Sequence, residues 1–171
     1  MASPGNLLDK HLVTKRWFRN NKASYPRLDL DSVDWPSASL PTDDYNCFGF
    51  AVGVPKWWQP PSFFDDGSRV NPDHYWPTDT EAQPTMQLYV QVAVGLGFVC
   101  VENGNWEQGF EKIVICGCEK GLFTHAAKLV SEGLWKSKMG ALSDFEHALV
   151  QLDGPGYGAK RVFMMRPISA P

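Results

Sequence analysis

The chain has 171 residues, 43% of them hydrophobic and 13% aromatic, with a net charge of −3 at pH 7. That length suits one domain, and that apolar share is enough to build a core, which argues against a disordered chain. The mild acidity argues against a dedicated nucleic-acid binder, and no apolar run reaches the roughly 18 residues that a membrane span needs.

In chain order, Leu7, Leu8, Leu12 and Val13 with Trp17 and Phe18 predict a short amphipathic helix. Lys10, Lys15, Arg16, Arg19, Lys22 and Arg27 make this stretch basic, and Asp29, Asp31, Asp34, Asp43 and Asp44 follow. The plain reading is two solvated charged faces; the sharper one is a docking segment for a partner. No apolar segment follows the early basic residues, so no secretory signal is expected. The cytoplasm is the default location, and export by a specialised machine would leave no mark in the sequence. Proline and serine crowd the stretch from Asp34 to Pro41, which should be irregular. The expected division is an N-terminal extension over 1–41 and a main domain over 42–171.

Thr42, Asp43 or Asp44 is expected to cap a helix that contains Cys47 and ends near Gly53 and Pro55. A loop from Val54 to about Thr80 then carries five prolines beside Trp57, Trp58, Phe63, Phe64, Tyr75 and Trp76. So long an irregular stretch either covers the core or forms a substrate rim. Thr80 to Leu96 predicts a helix stopped by Gly97. Strands are predicted over 98–101, 112–116, 122–130 and 134–139, with turns at Gly117 to Gly121 and at Ser131-Glu132-Gly133. Ser143-Asp144-Phe145-Glu146 matches a capping box and predicts a helix to about Leu152. Ala159 to Arg166 predicts a last strand. Helix first and a mostly antiparallel sheet after it indicate an α+β fold.

Cys47 is the leading candidate for chemistry. A cysteine in the first turn of a helix meets unpaired N–H groups, which favour the thiolate. Such a thiolate should alkylate at pH 6 ahead of Cys100, Cys116 and Cys118. Its own N–H and a neighbour's would form an oxyanion hole, and Gly49 would let a substrate approach closely. His125 sits between Phe123-Thr124 and Ala126-Ala127 on a predicted strand, where a polar ring needs a partner. It can take the Cys47 proton and return it to a leaving group. A third group should orient the imidazole. Ser137 and Lys138 on the next strand are candidates that would line the site, and His147 and Asp144 are alternatives. Asn46, Trp57, Trp58 and Trp135 are the expected substrate-binding residues. Four scattered histidines and a Cys-Gly-Cys lack metal-site spacing, so no metal is expected, and no cofactor fingerprint is present. The four cysteines permit disulfides without requiring them.

Asn46-Cys47-x-Gly49-Phe50 resembles the Asp-Cys-Ser-Gly-Phe signature of NlpC/P60 and CHAP hydrolases, which belong to the papain-like superfamily. The chain also resembles a family of uncharacterised bacterial proteins. That second resemblance rests on Asn46-Cys47, Trp57-Trp58, Thr124 to Ala127, Trp135 to Gly140, His147 and Tyr157-Gly158, and covers roughly 42–167. The first resemblance implies a papain-like, NlpC/P60-like fold, with a catalytic helix packed on the sheet. It also implies a cysteine hydrolase or acyl-transferase acting on an amide or thioester through a Cys47–His125 dyad: a peptidase, amidase, deamidase or toxin-like effector. The partner would be a protein or peptide substrate, with neither nucleic acid nor membrane. The alternative is an inactive binding module, immunity-like, on the same fold.

Overall fold

The computed structural model describes residues 5–35, 41–63, 69–70, 74–78 and 82–168. Helices α1 (Gly5–Asn20), α2 (Cys47–Val52) and α3 (Met86–Gly95) accompany eight strands. A short antiparallel ribbon pairs β1 (Ser62–Phe63) with β2 (Arg69–Val70). Six further strands make the main sheet: β3 (Val99–Val101), β4 (Phe110–Gly117), β5 (Phe123–Ser131), β6 (Leu134–Lys138), β7 (Asp144–Ala148) and β8 (Lys160–Pro167). Their order is β3-β8-β4-β5-β6-β7, and each neighbouring pair is antiparallel. The fold is therefore α+β on an antiparallel sheet, as the sequence predicts. Among the described residues no helix is long and apolar enough to cross a membrane.

The sheet forms where apolar residues with high strand propensity run between glycine turns. Gly121 and Gly133, both with φ above +70°, close the two hairpins that bring β4, β5 and β6 together. Register then assigns the faces, since residues directly opposite in an antiparallel pair share one. Ile113, Ile115, Ala126 and Met164 face α2 and α3 and form the main core with Phe48, Trp58 and Tyr89. Val114, Cys116, Ala127 and Trp135 lie on the opposite face, and His125, Ser137, Phe145 and His147 share it by register. The N-terminal segment completes that face. Phe18 of α1 meets Phe145 edge-on at 5.4 Å, and Tyr25 meets Tyr157 at 4.9 Å. Arg27 pairs with Asp153 rather than with the nearby acidic run.

Three expectations need correction. The capping box at Ser143 does not start a helix: Asp144–Ala148 is strand β7, followed by a 3-10 turn over Leu149–Leu152. Pairing with β6 overrides the local signal, because alternation buries Phe145 and His147 beside Ser137 and Trp135. The helix expected from Thr80 starts at Met86, where the Thr85 side chain accepts from the Leu88 N–H at 3.2 Å. The cap of α2 is Asn46, not Thr42, Asp43 or Asp44. Residues 36–40 of the predicted irregular stretch, Phe64 and Pro72 of the long loop, and Thr80 lie outside the described residues, as do the side chains of Leu7, Leu8, Lys10 and Phe63.

Candidate active site

Cys47 is the first residue of α2, and the sequence around it fixes that helix tightly. Asn46 Oδ1 accepts from the Gly49 N–H at 3.1 Å, while Asn46 Nδ2 donates to the Trp58 carbonyl at 2.6 Å. Gly53, in the left-handed region at φ 73°, stops the helix. Gly49 is needed for packing rather than for substrate: a Cβ there would overlap the carbonyl oxygen of Lys56. So α2 is pressed against the 54–58 segment, and Asn46 holds that junction while also lining the cavity that contains Cys47.

His125 and Cys47 line one cavity of about 320 Å3, at the end of the sheet where β5 starts and β6 stops. Trp57, Tyr89, Met139 and Tyr157 close it, so the Trp57 end of the long loop does form a wall of the site. Trp58 also touches the cavity but is a core residue, 2% exposed, with its indole N–H bonded to the Val54 carbonyl. Trp135 is not there: it packs against Phe163 in the core of the opposite face. The sequence reading missed Gln59, Tyr89 and Tyr157, all on the cavity wall. A tyrosine followed by glycine in the last turn was the one signal for Tyr157.

Behind His125 runs a chain of buried polar groups. His125 Nε2 lies 2.9 Å from Ser137 Oγ, Ser137 Oγ lies 2.7 Å from His147 Nε2, and His147 Nδ1 lies 2.9 Å from the Ala148 carbonyl. Ser137 and His147, both named from the sequence, therefore act in series rather than as alternatives. Burial pushes His125 down to about 3, with His147 adding to it, and pushes His147 down to about 4, so both rings are neutral at pH 7. That neutrality lets the network assign the protons. A carbonyl only accepts, so His147 carries its proton on Nδ1. Its Nε2 must then accept from the Ser137 hydroxyl. Ser137 has no second proton, so His125 Nε2–H donates to it. The lone pair of His125 is left on Nδ1, which has no hydrogen-bond partner among the described residues.

Cys47 does not behave as expected from its helix. Burial pushes its thiol up to about 11; the N–H groups of Ala126, Phe48 and Cys47 itself and the Lys138 ammonium oppose this without winning. A six-residue helix start is a small field, and full burial is a large penalty. The resting pair is thus thiol and neutral imidazole, and no hydrogen bond joins them among the described residues. Cys100 is exposed whereas Cys47 is buried, so Cys100 is the thiol expected to meet a reagent first. Beyond the hydrogen-bonded chain, Tyr157 stacks on the His125 ring, with centroids 4.0 Å apart and planes 19° from parallel.

Lys138 is buried but does not line the cavity. Its ammonium donates to the carbonyls of Thr42, Gly140 and Leu142, which ties the segment before Cys47 to the Gly140 rim. Asp144 faces away from the histidines, its carboxylate 3.9 Å from Lys136, and so does not orient His125. All four cysteines are free, and among the described residues no three His, Cys, Asp or Glu side chains converge as a metal site.

Residues 37–165 match the model of a family described as a domain of unknown function, DUF7689, and the chain belongs to that family. No curated protein and no solved structure matches it.

Proposed function

We propose that this DUF7689 member is a cysteine-dependent acyl-transfer enzyme, a hydrolase or transferase of amide, ester or thioester bonds. Cys47 is the nucleophile and His125 the base. The observation that carries the reading is the direction of the hydrogen-bonded chain. From the Ala148 carbonyl back to His125, each partner forces the next, and a basic lone pair is left at Nδ1 on a residue lining the same cavity as the thiol. A core histidine placed only for packing has no need of so directed a support. The chain order of helix-start cysteine, strand histidine and polar group on the next strand supports a papain-like arrangement.

The thiol sets the form of the mechanism. With Cys47 near 11 and His125 near 3, a preformed ion pair is unfavourable. Proton transfer from Sγ to Nδ1 therefore accompanies attack, as with a serine nucleophile. The Sγ–C bond forms, the carbonyl electrons move to oxygen, and the bond to the leaving group breaks as Nδ1 hands its proton over. Water or an acceptor amine then repeats the cycle on the thioester, and the thiol is restored. The Tyr157 face favours the imidazolium that exists only along this path. Gln59 lines the cavity, and its amide is the proposed oxyanion donor. A protein or peptide is the proposed partner, in keeping with an amide substrate.

The missing Cys47–His125 hydrogen bond favours a second reading, a binding module that kept the fold without turnover. Incubation with p-nitrophenyl esters, followed by intact mass and peptide mapping, separates the two. The enzyme reading expects one acyl group on Cys47, lost in Cys47→Ala and strongly slowed in His125→Ala. Absence of acylation by every ester favours the binding module.

A further inference from the structure

We propose that the acyl half of the substrate is a neutral apolar group the size of one side chain; this rests on Cys47 being the nucleophile. Among the described residues, no aspartate, glutamate, lysine or arginine lines the cavity beside Cys47. Its walls are largely aromatic and apolar, with Trp57, Tyr89, Phe123, Met139 and Tyr157 among them, and the polar residues beside them, Asn46, Gln59, Thr124 and His125, carry no net charge. At about 320 Å3 it stands at the small end of the roughly 300–1,000 Å3 range of ligand pockets, so it takes a single group rather than a chain.

Charge is close by, and the fold keeps it out. A second cavity of about 660 Å3 shares Trp57 with the first, and there Asp43, Asp44 and Lys56 line the wall. Trp57 is the partition, held by stacking on His74 with ring centroids 5.3 Å apart. On the nucleophile's side, Cys47 and His125 both line the cavity, and both are held neutral by burial. A carboxylate or ammonium carried in by the acyl group would meet the same desolvation penalty with no partner to offset it. An aromatic or branched aliphatic acyl group instead gains from burial against these rings.

Four p-nitrophenyl esters test this on the full chain: phenylacetate, isobutyrate, hemisuccinate and β-alaninate. In each, the Cys47 Sγ–C bond forms, the C–O bond to p-nitrophenolate breaks, and water then cleaves the thioester. Turnover is compared after division by each ester's spontaneous hydrolysis, with Cys47→Ala as the blank. The expected result is kcat/KM at least tenfold higher for phenylacetate and isobutyrate than for both charged esters. Trp57→Glu should narrow the gap for β-alaninate alone. Equal rates, a preference for a charged ester, or a gap untouched by Trp57→Glu would overturn the proposal while leaving Cys47 acylated. Failure of all four to acylate Cys47 would overturn the nucleophile assignment, and this inference with it.

Discussion

Replacing Ser137 by alanine removes one oxygen and should disable the site from behind. Ser137 is fully buried, and its hydroxyl serves both histidines at once. Alanine leaves His125 Nε2–H and His147 Nε2 without partners in a place water does not reach. Each orphaned buried group costs about 1–3 kcal/mol, so the variant should lose about 2–6 kcal/mol. That is a large share of the roughly 5–15 kcal/mol that holds a domain of this kind together. The loss is read from the urea midpoint at constant m value. A second consequence separates this site from any other buried serine. Without the hydroxyl, nothing holds the His125 proton on Nε2, so 15N-labelled histidine NMR should show mixed tautomers where the parent shows one. Acylation of Cys47 should fall by about 10²–10⁴, the usual contribution of an oriented base. A stability change below about 1 kcal/mol together with an unchanged Nε2–H tautomer would refute the directed chain, since a lost double partner cannot be that cheap.

Acid should unfold the protein early. Both rings stay neutral when folded and take up protons near pH 6.5 when unfolded, so the unfolded state binds more protons from pH 6.5 down to about 4. Stability is complete above pH 6.5 and falls by about 3 kcal/mol per ring by pH 4, at 1.36 kcal/mol per pH unit; urea midpoints that do not move between pH 7 and 4.5 would contradict the neutral assignment. Cys47→Ala and His125→Ala should each abolish ester turnover, and the double variant should be no worse than either, as for groups acting together; additive losses would mean that the two work apart. Gly49→Ala should cost about 1–3 kcal/mol and lower the melting temperature, because the added methyl meets the Lys56 and Val54 carbonyls; an unchanged melting temperature would show that α2 is not pressed against that segment.

Much of the sheet could be read from the sequence because its strands lie between glycine turns and carry buried apolar runs, as in Ile113 to Cys116 and Ala126 to Leu129. The helix behind Cys47 was legible from Gly53 at its end, although the cap, Asn46, lies two residues beyond the last candidate, Asp44. Strand β7 was not legible. Its capping-box pattern is a real local preference, and only pairing with β6 turns it into strand, which moves His147 from a helix to the inner face beside Ser137. The electrostatics were hidden for a related reason. A helix start can be seen in six residues, whereas the burial that raises Cys47 depends on a cavity shared with residues distant in sequence, such as Tyr89 and Tyr157. Trp58 and Trp135 show the limit of motif reading: both belong to quoted motifs, and both are core.

The claim that His125 activates Cys47 is tested most directly by alkylation rates resolved by residue. The parent and His125→Ala are treated with iodoacetamide at pH 7.5, and each cysteine is followed by peptide mapping over time. Cys100, exposed and not among the residues that line the cavity, serves as the internal control and should react first and equally in both proteins. Cys47 should react more slowly than Cys100 in the parent, and at least tenfold more slowly again once the base is gone. A Cys47 rate that is the same with and without His125, against an unchanged Cys100, would contradict the account.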